Sequence, residues 1–271
     1  MKTATTSRLL YHQSDEGFLI EVIEESGMRS LYFSGQHLQS RQWIANPSAP
    51  LLPYTWYMMA FPLVRTADPE RVLMVGVGAG SMVHFLRRHF PTCAIDAVDV
   101  SPAILSVARD FFALREDERL SIHCQDGGAF LRQSDKQYDL ILLDAFDGEG
   151  MATSLYAASF FALAREHLRV DGVLACNLWS SQAAIRKSVF KQLRGAFADT
   201  IFLPVPERGN SLLSRPHRRC PGVKAAPMAS ICGGSPTALA SISSPWPRWL
   251  CVTTAATALA ACGDVCCAAE S

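Results

Sequence analysis

The feature that most constrains the fold is a regular alternation of short apolar runs with helical segments, which begins at Arg71. Residues 72–75 form a four-residue apolar run that glycines follow directly, a pattern typical of a strand buried on both faces. Apolar residues then recur at helical spacing over residues 82–90, and Pro91 ends that helix. One strand-to-helix unit is therefore predicted at the start of a larger domain.

The same alternation continues along the chain. Ser101 and Pro102 are a typical cap and first residue of a helix, and another helix is expected near residues 156–168. The Asp171-Gly172 pair is expected to be a turn before the last strand. Strands that alternate with helices predict an α/β fold with a Rossmann-like, doubly wound, mostly parallel sheet of the methyltransferase-like kind. The predicted strands are residues 72–75, 94–98, 120–124, 140–143 and 173–178.

Three regions are predicted from changes in composition. Residues 1–50 hold two β-rich runs around a Ser26-Gly27 turn and predict a small N-terminal β region. Residues 51–212 are predicted to form the main Rossmann-like domain, in which the apolar and aromatic residues 51–64 predict a leading helix. Residues 213–271 are rich in Ala, Ser, Pro and Cys and predict an irregular C-terminal tail of low order. Our hypothesis is a frameshifted or otherwise unselected C-terminus, which resequencing near codon 212 tests.

Charge and hydropathy limit the classes of partner. The chain carries 25 basic and 25 acidic residues, so there is no electrostatic case for nucleic acid or an anionic membrane. No apolar run has the length of a signal peptide or a membrane span, so we expect a cytoplasmic protein. His84 and His89 lie five residues apart on a predicted helix and share no face, and no metal site is expected.

A glycine-rich loop follows the first predicted strand. Gly76, Gly78 and Gly80 alternate with Val77 and Ala79. Glycines there permit a tight turn and let a ligand approach backbone N–H groups closely, although a turn without a ligand is an alternative for the pattern alone. The loop lacks the Lys-Ser/Thr pair of a phosphate-binding loop, so a ligand without phosphates fits at least as well as a dinucleotide.

Acidic residues follow three of the predicted strands. Asp99 ends the second, where a carboxylate can accept both ribose hydroxyls or simply begin a helix. Asp126, followed by Gly127, comes after the third and can accept from an adenine amino group, cap a helix, or do both. Asp144 ends the fourth and Asp147 lies three residues on, a pair that can bind a cationic amine and accept its proton. Because parallel strands end at one edge, these acids are expected to share a site.

The motifs resemble those of the spermidine synthase (polyamine aminopropyltransferase) family, over residues 18 to about 210. The segments that carry the resemblance are residues 75–80, 98–102, 125–127 and 138–147. It implies a transferase that moves the aminopropyl group of decarboxylated S-adenosylmethionine to a small-molecule diamine such as putrescine. The implied step is an in-line attack of the amine on the carbon next to the sulfonium, with methylthioadenosine as the second product.

The resemblance also implies roles for particular residues. Gly76, Gly78, Gly80 and Gly127 would line the donor site. Asp99 would hold its ribose and Asp126 its adenine. Asp144 would deprotonate the amine, and Asp147 would help to hold it. The N-terminal β region, which includes Gln39, is similar to the family's small first domain and is a candidate surface for forming a homodimer.

The sequence departs from the family at three places. Ala79 stands where the family has an aspartate that contacts the donor's amino end, and Tyr54 is followed by Thr55 and Trp56 instead of His and Glu. Residues 148–150 replace a proline-bearing loop. The nucleoside half of the site is thus kept better than the amine half. Methyl transfer from S-adenosylmethionine to an unknown acceptor is one alternative. A non-catalytic nucleoside-binding protein is another, favoured if the tail keeps the sheet from completing.

Overall fold

The N-terminal region is an antiparallel sheet in which each strand pairs with the next. Ser26 (φ 52°) and Gly27 (φ 75°) form the predicted turn between the second and third strands. The first strand was not predicted, and it precedes the two predicted β-rich runs, which form the second and third strands. The strands are β1 (Arg8–Asp15), β2 (Phe18–Glu25), β3 (Met28–Phe33) and β4 (His37–Trp43). The computed structural model describes residues 7–15, 18–35, 37–65, 67–147, 150–179, 183–205 and 209–216.

The segment that leads into the main domain contains a shorter helix than predicted. Helix α1 spans Pro53–Met58, and a separate 3₁₀ turn spans Phe61–Leu63. The prediction of one helix over residues 51–64 is therefore wrong. The physical reason is Pro62, which lacks the amide hydrogen that a continuing α-helix needs.

The main domain alternates strands and helices, as predicted. The last helix and the two strands after it were not predicted from the sequence. The elements in chain order are β5 (Arg71–Val75), α2 (Ser81–His89), β6 (Ala94–Asp99), α3 (Pro102–Phe111), β7 (Leu120–Cys124), α4 (Gly127–Gln133), β8 (Tyr138–Leu143), β9 (Phe146–Asp147), β10 (Gly150–Met151), α5 (Ala158–Glu166), β11 (Leu168–Leu178), α6 (Ala183–Ala196), β12 (Asp199–Val205) and β13 (Gly209–Arg215).

Seven of these strands form one sheet in the order β12-β13-β11-β8-β5-β6-β7. Strands β11, β8, β5, β6 and β7 are parallel, which confirms the predicted Rossmann-like doubly wound fold. The predicted turn at Asp171-Gly172 is instead an irregular stretch within β11. Leu168 pairs with Tyr138 and Val173 with Leu140, so the residues between them bulge while both ends of the strand stay in the sheet.

Both faces of the sheet are covered by helices. Alternate residues of β5 enter opposite cores: Val72 and Met74 pack with α1, α2 and α3, whereas Leu73 and Val75 pack with α4, α5 and α6. This is why the strand is a continuous apolar run and does not alternate with polar residues. None of the helices in the described ranges is long and apolar enough to cross a membrane.

The C-terminal strands form an antiparallel hairpin at one end of the sheet. Strand β13 lies between β12 and β11 and runs to Arg215, three residues beyond the predicted end of the catalytic domain at residue 212. The sequence favoured a non-catalytic binding protein if the tail kept the sheet from completing. The sheet does complete, with β13 as one of its strands. The part of the predicted tail that begins at residue 217 lies outside the described residues.

Candidate functional site

A cavity of about 640 Å³ opens at the carboxyl edge of the parallel strands, where the strand order reverses between β5 and β8. Open α/β sheets bind ligands at this kind of position. The volume is within the range that small-molecule sites occupy. The cavity walls contain Asp99, Asp126 and Asp144, so the sheet brings together three of the predicted acids. Residues of β3 and β4 close its outer side.

The glycine loop is shaped by close packing. Gly76 has a φ of 85°, and a Cβ there would lie 2.1 Å from the carbonyl oxygen of Asp144. Gly80 (φ 74°) would place a Cβ 2.9 Å from the Leu114 side chain. Gly78 (φ 52°) faces the Ser40 hydroxyl on β4. Gly76 and Gly78 line the cavity, so two of these glycines have both a steric role and a position at the site.

Asp99 is held by the backbone at the start of this loop. Its Oδ2 accepts from the Val77 amide at 2.8 Å and its Oδ1 from the Ser101 amide at 3.0 Å. Burial raises the pKa of Asp99, although these backbone hydrogen bonds oppose the rise. Ser101, and not Asp99, caps α3 by accepting from the Ile104 amide. The alternative role for Asp99, as the acid that begins the helix, is therefore filled by Ser101.

Asp126 does cap a helix. Its Oδ1 accepts from the Ala129 amide at 2.8 Å at the start of α4, and the side chain is about half exposed at the cavity wall. The structural alternative, a helix cap, is thus realised through Oδ1, and the ligand role remains a prediction. Gly127 follows, and a Cβ there would lie 2.5 Å from Val75, so glycine allows α4 to pack closely on β5.

Asp144 is held by two side-chain hydrogen-bond donors. Tyr54 donates its hydroxyl to Oδ2 at 3.0 Å, and Asn177 donates its amide to Oδ1 at 2.8 Å. Burial raises the pKa of Asp144 to about 6, the two donors oppose that rise, and the nearby charge of Asp99 adds to it. A carboxylate with a pKa near neutrality and a fixed orientation is suited to accept a proton.

Tyr54 and Asn177 are two residues of the site to which the sequence gave no predicted role. Tyr54 lies on α1, 90 residues from Asp144, so only the tertiary fold shows the contact. Asn177 does carry a sequence signal, because it is a lone amide near the end of the apolar strand β11. In the structure its side chain is buried. The side chain of Asp147 lies outside the described residues, and its part in holding an amine remains a prediction. Asp147 itself pairs with Gly150 in the short β9–β10 ribbon.

Ala79 is enclosed by apolar side chains. It is fully buried and packs in a cluster with Ile20, Val22 and Leu31 of the N-terminal sheet, while its amide donates to the Ser40 hydroxyl at 3.2 Å. The position therefore supplies packing and no charge toward a ligand. Among the residues that the structure describes, no group of three or more His, Cys, Asp or Glu side chains is suited to hold a metal ion.

Known proteins of similar sequence indicate the family. Residues 51–210 match the family model of the spermine/spermidine synthase domain. The polyamine aminopropyltransferase of Neisseria meningitidis serogroup A is 30% identical over 70% of this chain and 73% of its own length. That of Chromobacterium violaceum is 31% identical with the same coverage. The spermidine synthase resemblance noted in the sequence is confirmed.

Solved structures agree at the level of fold. A probable spermidine synthase from Corynebacterium glutamicum has a TM-score of 0.70 at 16% identity and covers 93% of this chain and 96% of its own. Human methyltransferase-like protein 13, solved in complex with SAH, has a TM-score of 0.58 at 25% identity, with 62% and 83% covered. The two bacterial relatives at 30% and 31% identity are polyamine aminopropyltransferases. The chain belongs to the spermine/spermidine synthase family.

Proposed function

We propose that this protein is an aminopropyltransferase that moves the aminopropyl group of decarboxylated S-adenosylmethionine to a diamine such as putrescine. The observation that carries the proposal is Asp144, a carboxylate with a pKa of about 6 that Tyr54 and Asn177 hold in the same cavity as Asp99. Family membership supports the reaction type, since the bacterial relatives are polyamine aminopropyltransferases.

The donor's nucleoside occupies the side of the cavity formed by the glycine loop. Asp99 accepts hydrogen bonds from the ribose hydroxyls, and Asp126 accepts from the adenine amino group. The sulfonium then lies toward Asp144. Two partly desolvated carboxylates in one cavity favour a cationic ligand, because a positive charge offsets the cost of ionising them together.

The acceptor amine reaches Asp144 as an ammonium ion and must lose a proton to become a nucleophile. Asp144 accepts that proton, while the Tyr54 and Asn177 hydrogen bonds keep its oxygens oriented. The amine nitrogen bonds to the carbon next to the sulfonium, the carbon–sulfur bond breaks, and neutral methylthioadenosine leaves. Asp147 helps to hold the amine.

Methyl transfer from S-adenosylmethionine is the second candidate. The observation that favours it is Ala79, which places no carboxylate at the position where the resembled family contacts the donor's amino end. Incubation with each donor and putrescine distinguishes the two reactions by product. Methylthioadenosine from the decarboxylated donor supports our proposal, and S-adenosylhomocysteine from the intact donor contradicts it.

The Asp144→Asn substitution tests the mechanism. We expect turnover to fall by about 100- to 10,000-fold, because the amine loses its proton acceptor. Methylthioadenosine at 100 times its dissociation constant should still stabilise the variant by roughly 2.7 kcal/mol in a thermal shift assay, as for the wild type. The exposed Asp68→Asn substitution is the matched control. Retained turnover in Asp144→Asn would remove Asp144 from the role of base.

A further inference from the structure

Two neighbouring strands each present a polar residue and then an aromatic one at the edge of the cavity. Asp144 is followed two positions later by Phe146, and Asn177 two positions later by Trp179. Strands β8 and β11 are parallel partners whose register pairs Leu143 with Cys176, so the two polar–aromatic sequences leave the sheet side by side. All four residues line the cavity.

The polar residues form an inner pair and the aromatic residues an outer pair. Asn177 donates to Asp144 at 2.8 Å, and the Phe146 and Trp179 rings meet edge to face with centroids 6.2 Å apart. Phe146 also packs on Tyr156, whose hydroxyl donates to the Asn177 carbonyl at 2.8 Å. The aromatic pair is thus anchored to the same strand end as the pair that holds the candidate base.

Trp179 presents a large apolar surface to solvent. It is 45% exposed, although it is next to a strand whose preceding residues are buried. An indole face beside a cavity that favours cations attracts an ammonium group through its ring quadrupole, and it also packs against methylene groups. A diamine carries both of these features, a methylene chain and a second ammonium ion.

We propose that Phe146 and Trp179 form the specificity site for the far end of the acceptor, where the Trp179 ring face binds the second ammonium ion and Phe146 packs against the methylene chain. This inference rests on the proposed aminopropyl transfer and adds the group that selects a diamine over a monoamine. It differs from the predicted role of Asp147, in which a carboxylate binds the amine.

The test compares putrescine with butylamine, which has the same chain and one ammonium fewer. Wild type, Trp179→Ala and Trp179→Phe are assayed for kcat/KM with both amines. In Trp179→Ala, we expect kcat/KM to fall roughly tenfold for putrescine and much less for butylamine, because only the diamine loses a cation–π contact. Trp179→Phe should retain most of the preference for the diamine. The control is Trp43→Ala, an exposed tryptophan on β4 that does not line the cavity.

A binding measurement keeps the inference independent of turnover. Calorimetric titration of the two amines into protein saturated with methylthioadenosine should show the same loss of diamine preference in Trp179→Ala. An unchanged preference in that variant, with a lost preference in Asp147→Asn, overturns the inference and assigns the selection to the carboxylate. Wild-type protein that binds putrescine selectively but transfers no aminopropyl group refutes the proposed function, and the titrations of the variants still decide which side chain selects the diamine.

Discussion

At the scale of single residues, Asp144 shows how burial and hydrogen bonds set the chemistry of a carboxylate in opposite directions. Burial raises its pKa to about 6, and the donors Asn177 and Tyr54 keep that rise from being larger. Asn177 makes this contact through Nδ2, and its Oδ1 has no hydrogen-bond partner among the described residues. A buried oxygen without a hydrogen-bond partner costs stability.

This environment predicts the pH dependence of the reaction. Asp144 must be ionised to accept a proton, so kcat/KM should fall about tenfold per pH unit below pH 6 and level off above it. Asn177→Leu removes a hydrogen bond to the ionised form, which raises the pKa further and should move the acidic limb to higher pH. Gln137→Leu, an exposed amide that bonds a helix-end carbonyl, is the control. A limb at the same pH in wild type and Asn177→Leu would contradict the assignment.

At the scale of elements, the loop between β5 and α2 shows why its glycines are needed before any ligand is considered. Gly76 brings the chain against the carbonyl of Asp144, in a backbone conformation that side chains disfavour. The same contact fixes the loop relative to the end of β8. The loop that lines the cavity therefore also positions the candidate base.

The Gly76→Ala substitution should destabilise the protein by more than about 2 kcal/mol, because the added Cβ and the positive φ both oppose the native loop. Gly195→Ala is the matched control: Gly195 lies within α6, and apart from its chain neighbours and the backbone of its own helix no atom lies within 4 Å of an added Cβ. That change should instead stabilise by about 0.5–1 kcal/mol. Urea unfolding of both variants gives the measurement, and equal stabilities would show that the loop adapts.

At the scale of the whole molecule, the N-terminal sheet is part of the cavity and of the core. Its buried residues Ile20 and Leu31 pack in one cluster with Ile104 and Phe112 of the main domain. Polar contacts join the same surfaces: Arg29 donates to the Phe111 carbonyl, and the Ser101 hydroxyl donates to Asp15 at 3.1 Å. The Ser40 hydroxyl accepts from the glycine loop. Sheet and domain are therefore expected to unfold together.

Leu31→Ala tests this coupling. Loss of a fully buried leucine should cost about 2–5 kcal/mol of unfolding free energy, and the protein should still unfold in one transition. Hydrogen exchange of the β2–β3 amides, compared with circular dichroism of the whole chain, reports on the two parts. Loss of protection in the sheet at a lower urea concentration than in the main domain would show that the N-terminal sheet is an independent unit.

Local patterns in the sequence predicted the parallel sheet, the glycine loop and three acids at one edge, because burial on both faces and strand-to-helix turns leave regular signals over a few residues. Less of the polar site could be predicted. The Tyr54–Asp144 contact joins residues 90 positions apart, and β13 inserts between strands that precede it in the chain. Neither arrangement leaves a periodic signal.

The sequence by itself determined the fold class and the family resemblance, and it predicted which acids share one edge of the sheet, since each rests on short motifs whose residues act locally. Only the tertiary structure decided what surrounds Asp144. The side chains that hold it come from α1 and β11, and the burial that raises its pKa comes from the packed domain as a whole. The tertiary structure also added a reason for the glycine loop. The sequence pattern indicates a ligand-binding turn, and the packed fold requires glycine at Gly76 because the carboxyl end of β8 lies against it.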